Sequence, residues 1–150
     1  MDDFNRVWGT LLQSSQAGYT GILVVGTESI SSHMIKMNGD EMLQKYSMPS
    51  ILYSNQVHEL YKEMSGRDGA IAFNEKGNLL GAELFIQGVR LQSEIELEDI
   101  LKFKGSVGAR HITGLYASTI FKYAVCLGQN GKVIPFINGK IVKSLVYQKN

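Results

Sequence analysis

The run Gly21-Ile22-Leu23-Val24-Val25-Gly26 constrains this chain most. Four consecutive large aliphatic residues between two glycines are too few for a helix, and they predict a short buried strand closed by glycine. A buried strand needs paired neighbours and cover, so the flanking segments decide the fold. Before it, Phe4, Val7, Trp8, Leu11 and Leu12 recur at helical spacing, and Ala17-Gly18-Tyr19-Thr20 breaks that helix. Residues 27–52 have weak periodicity and read as irregular, with a short strand near Met34 and a short helix near Met42. Ser54 or Asn55 caps a helix whose inner face is Val57, Leu60, Tyr61 and Met64, with Gly66 placed to end it.

Gly69 to Phe73 predicts a strand, residues 74–78 a turn, and Leu79 to Ile86 the returning strand of a hairpin. Residues 87–106 form a long connection with an acidic middle at Glu94, Glu96, Glu98 and Asp99. A helix from Ala109 to Thr119 follows, with Ile112, Leu115, Tyr116 and Thr119 inward. Three strands are expected at Tyr123 to Leu127, Val133 to Ile137 and Ile141 to Val146. Asn130-Gly131 and Asn138-Gly139 supply the tight turns between them. The expected fold class is α/β (α+β): a central mixed β-sheet flanked by helices, one domain over residues 1–150.

Composition supports one folded unit. A hydrophobic share of 44%, a charged share of 19% and only two prolines exclude a disordered tail and a collagen-like repeat. No apolar run is long enough to span a bilayer, and the opening Met-Asp-Asp lacks the basic region of a signal peptide. The single cysteine, Cys126, cannot form an internal disulfide, so a cytoplasmic setting is expected. Residues 1–100 hold seven Lys/Arg against fourteen Asp/Glu, and residues 101–150 hold eight Lys/Arg and no acid. Such asymmetry marks either an anion site in the basic part or two segments that interleave and neutralise each other.

Few residues have the spacing that chemistry requires. His33 and His58 lack metal-binding partners at ligand spacing, and Cys126 alternates with Ala124 as a core residue of a strand. No Walker A, G-x-G-x-x-G or G-x-S-x-G sequence occurs. Two segments stand out. Arg67-Asp68-Gly69-Ala70 joins a helix to a strand; its carboxylate suits Mg²⁺ or Mn²⁺, or a hydroxyl proton. Read alone, a pair such as Asp68-Gly69 is far more often an ordinary turn. Gly105-Ser106-Val107-Gly108-Ala109-Arg110-His111 leads into a helix and reads either as a phosphate cradle or as a plain helix start.

Together, in their order and separation, these segments resemble the diadenylate cyclase domain, the catalytic domain of the DNA-integrity scanning protein and related cyclases. That family carries D-G-A after a helix and G-T-R-H-R at the start of a later one. The matches here are Asp68-Gly69-Ala70 and Gly108-Ala109-Arg110-His111-Ile112. The resemblance implies ATP as substrate or ligand, a divalent metal (Mg²⁺ or Mn²⁺), and a homo-oligomer in which two subunits face each other to make cyclic di-AMP. It implies that Asp68 binds the metal and helps activate the 3′-hydroxyl. It further implies that Gly69 and Ala70 give the nucleotide backbone space, that Gly108, Ala109, Arg110 and His111 lie at the triphosphate, and that the backbone near Ile86 lies by the adenine. No nucleic acid or membrane partner is implied. The chain departs from the pattern at Ala109, at Ile112, and at Gly128-Gln129-Asn130-Gly131, where the family has an acidic turn. These departures leave a second expectation: a catalytically impaired module of the same fold that senses a nucleotide or cyclic dinucleotide.

Overall fold

The computed structural model describes residues 3–36, 40–87 and 109–149. In chain order these form α1 (Asp3–Gln16), β1 (Ile22–Gly26), β2 (Met34–Lys36), α2 (Asp40–Lys45), α3 (Gln56–Met64), β3 (Ala70–Phe73) and β4 (Leu79–Ile86). Then follow α4 (Ala109–Ile120), β5 (Tyr123–Leu127), β6 (Lys132–Ile137), β7 (Lys140–Ile141) and β8 (Tyr147–Gln148). The acidic connection and the Gly105–Gly108 segment lie outside the described residues.

The strands form one mixed sheet in the order β2-β4-β3-β1-β5-β6-β7, with β8 also paired to β6. Only β1 and β3 run parallel among these pairs. β1 occupies the middle and every one of its residues is buried. Its side chains alternate between two cores: Ile22 and Val24 join the side covered by α1 and α3, while Leu23 and Val25 join the side covered by α4. The continuous apolar run therefore serves both faces of a three-layer α+β domain.

The acid-free C-terminal segment does not form a separate basic body. Its strand β5 lies beside β1, and Lys122 pairs with Glu28 and with Glu75. Interleaving thus neutralises at least part of the charge asymmetry.

Two expectations are corrected. The inward face of α4 is not Ile112, Leu115, Tyr116 and Thr119. Leu115 is buried as expected, but it shares that face with His111, Ala117 and Ser118, and Thr119 is exposed. The small residues on the face explain this: a Cβ on Gly114 would stand 3.1 Å from the Phe136 ring and 3.3 Å from Leu23, so the helix lies close on the sheet. Ser118 Oγ donates to Leu115 O at 2.8 Å and accepts from the Gly139 N–H at 2.9 Å, so the hydroxyl is satisfied while buried.

The strand expected over Ile141 to Val146 is instead broken. β7 ends at Ile141, residues Lys143–Leu145 make a 3₁₀ turn, and the chain returns to β6 as β8. Continuing the β6–β7 register sets Val142 opposite Pro135. The Val142 N–H donates to Pro135 O at 2.9 Å, but proline has no N–H to return, so the ladder stops there. The Trp8 indole N–H then holds the turn by donating to Leu145 O at 2.7 Å.

Candidate functional site

The segments singled out in the sequence meet at one end of the sheet. β1 and β3 pair with Leu23 beside Ala70, so continuing that register sets Gly21 level with Asp68. On the other side Ile22 pairs with Leu127, which sets Gly128 level with Gly21. In β4, Leu84 pairs with Ala70, so Ile86 comes level with Asp68 on the next strand. Ile86 itself pairs with Met34 and is partly buried.

The α3–β3 junction is pinned to the start of β1. Ser65 Oγ accepts from the Thr20 N–H at 2.9 Å and donates to Thr20 O at 3.1 Å. The Gly66 N–H also donates to Thr20 O, at 2.9 Å. Beyond the junction Asp68 is exposed, and among the described residues no hydrogen bond or ion pair engages its carboxylate. Gly69 adopts φ +96°, and a Cβ there would lie 2.6 Å from the Glu83 carbonyl carbon and 2.7 Å from Glu83 Cα. Its lack of a side chain lets two backbones touch. Ala70 is buried in the sheet. Glu83, against Gly69, takes φ +52° where the β3–β4 register shifts, a bulge that turns the Glu83 carboxylate toward Arg67 at 3.4 Å.

The second segment enters from α4. Ala109 opens the helix, and Gly108 lies outside the described residues. Arg110 reaches across the sheet end: its Nη2 donates to Arg67 O at 2.8 Å, one residue before Asp68. Its guanidinium lies over Gly21, with Nη1 3.2 Å and Cζ 3.3 Å from the point a Cβ would occupy. His111 is buried, and its ring lies against Gly128, with Cε1 2.9 Å from a Cβ position there. Thus Arg110 faces the Asp68 junction while His111 points into the seam between α4 and the β5–β6 turn. Sequence reasoning missed Gly21, which reads only as a strand boundary until the guanidinium is seen resting on it. It noticed Gln129 for a missing acid; the side chain is placed beside Arg110.

No group of three His, Cys, Asp or Glu able to hold a metal occurs among the described residues.

Away from that sheet end, an open cleft between α2 and α3 is lined by Lys45, Tyr46, Gln56, Glu59, Lys62 and Glu63. Here Tyr46 and Lys45 both donate to Glu63, the latter at 2.6 Å. The Lys45 bond first, then that from Tyr46, holds the Glu63 carboxyl below its ordinary value of 4.5. Because the folded value is the lower one, the contribution to stability is complete above about pH 4.5 and is lost as pH falls through the folded value. Glu63→Gln is therefore expected to lower the thermal midpoint at pH 7, and the difference from wild type should shrink as pH falls below about 4.5, checked by melting both proteins across that range. This arrangement satisfies its own groups, so the cleft is read as structural.

No family model matches the sequence, and no curated protein does. A crystal structure described as that of a hypothetical membrane spanning protein from Bacillus cereus is similar in fold, with a TM-score of 0.54 and 14% identity. The match covers 95% of this chain and 61% of that one, so this chain spans less than two thirds of its length. A likeness at that identity shows the fold alone. Among the described residues no helix is long and apolar enough to cross a membrane.

Proposed function

We propose that this domain binds an adenine nucleotide at the sheet end where Arg67–Ala70 meets Arg110. We further propose that two copies facing each other condense two ATP into cyclic di-AMP. The observation that carries the reading is the 2.8 Å bond from Arg110 Nη2 to Arg67 O, which joins two residues 43 positions apart. It brings a permanent cation to the backbone one residue before Asp68, an exposed carboxylate, and a cation and a carboxylate on one sheet end are what a metal-bearing triphosphate needs. In each half-reaction a 3′-oxygen forms a bond to the opposite α-phosphorus, the bond from that phosphorus to its bridging oxygen breaks, and pyrophosphate leaves. Asp68 would hold the divalent cation and receive the 3′-hydroxyl proton; Arg110 would neutralise charge on the phosphates.

A second reading is favoured by the burial of His111 and by Arg110 spending one nitrogen on the backbone. In that reading the same site binds nucleotide without turning it over, as a sensor. Incubating concentrated protein with ATP and Mn²⁺ and separating products by chromatography tests both. Cyclic di-AMP with twice its amount of pyrophosphate supports the enzyme. Saturable ATP binding with no product leaves the sensor, and no nucleotide binding removes both.

A further inference from the structure

The β5–β6 turn adds a donor to the Arg110 side of the site. Gln129 Nε2 lies 3.2 Å from the Cβ position of Gly21, the same distance at which Arg110 Nη1 lies from it. The two nitrogens are therefore no more than twice that distance apart, over one bare glycine. Both are donors, so they cannot bond each other. Among the described residues no hydrogen bond engages either of them, while Arg110 Nη2 is already used. Gly21 is buried, held by the Thr20 bonds to the α3–β3 junction, and offers no side chain to fill the space between them. Two donors of this kind are satisfied together by one polyatomic anion whose oxygens bridge them.

We infer that Gln129 is a specificity-determining residue that, with Arg110 Nη1 above Gly21, forms a phosphate contact rather than a metal contact. The inference rests on the nucleotide reading above and makes the β5–β6 corner of that site select for anionic oxygen. A carboxylate at 129 would pair with Arg110 and repel the phosphates; an amide does neither. Because Gln129 is exposed in a turn, substitutions there leave the fold intact.

The test is calorimetric titration of wild type, Gln129→Leu and Gln129→Glu with ATP and separately with inorganic pyrophosphate, both with Mg²⁺ present. Wild type should bind both ligands. Gln129→Glu should weaken each by roughly tenfold or more, the size of one charge-assisted contact. Gln129→Leu should weaken each by less, and all three proteins should melt alike. Added Mn²⁺ should restore ligand binding to Gln129→Glu but not to Gln129→Leu, a response that a merely structural role would not produce. Unchanged affinities in both variants would overturn the inference, as would a wild type that binds neither ligand. Pyrophosphate binding that is lost in Gln129→Glu, without any ATP binding, would keep the anion contact and remove the nucleotide reading.

Discussion

Asp68→Asn is expected to lower cyclic di-AMP formation by at least about a hundredfold while ATP still binds, because the change removes a charge without removing shape. Asp68 is exposed, and its carboxylate engages no described residue. Asparagine keeps an oxygen but is a poor ligand for a hard divalent cation and a poor acceptor of the 3′-hydroxyl proton. The assay pairs product quantification with a melting curve. Retained turnover in Asp68→Asn would detach this carboxylate from the reaction. A large drop in melting temperature would instead make Asp68 structural.

The second large effect is on stability. Gly69→Ala places a Cβ 2.6 Å from the Glu83 carbonyl carbon and 3.0 Å from Leu84 N, at a backbone φ of +96° that alanine rarely adopts. Both obstructing atoms are backbone, in a strand held by β2 and β3, so the contact cannot be relieved by turning a side chain. A cost of about 3 kcal/mol or more is expected, which for a domain of this size lowers the melting temperature by roughly 6–12 °C. Gly66→Ala is the control. Its φ is +76° but nothing stands within 4 Å of the added carbon, so only the conformational cost of about 1–2 kcal/mol remains. Equal melting temperatures for the two variants would mean that the Gly69–Glu83 contact is not tight.

Much of this architecture was legible because its signals are local. The glycine-bounded run of β1, the inner face of α3 and the Asn-Gly turns each depend on neighbours a few residues away. Asn138 and Gly139 take φ +53° and +74°, the conformations such turns require. What was illegible depends on contacts across the fold. The face of α4 is set by how closely Gly114 approaches Phe136, which outweighs the larger Ile112 and Tyr116. The last strand fails because Pro135 stands across the ladder from Val142, a pairing visible only once the register is known. At the candidate site the two motif segments could be named in order, since each has a composition of its own. Gln129 could be joined to them only as part of a turn lacking the family's acid, and Gly21 not at all, because what connects them is one arginine side chain laid over a bare glycine.

The claim at the centre of this account is that adenine nucleotide binds at that sheet end. Titrating uniformly ¹⁵N-labelled protein with ATP and Mg²⁺ and following the backbone amides tests it residue by residue. Saturable shifts are expected at Gly21, at Arg67 through Ala70, at Arg110 and His111, and at Gly128 through Gln129. No saturable shift, or shifts confined to the α2–α3 cleft around Tyr46 and Glu63, would contradict it.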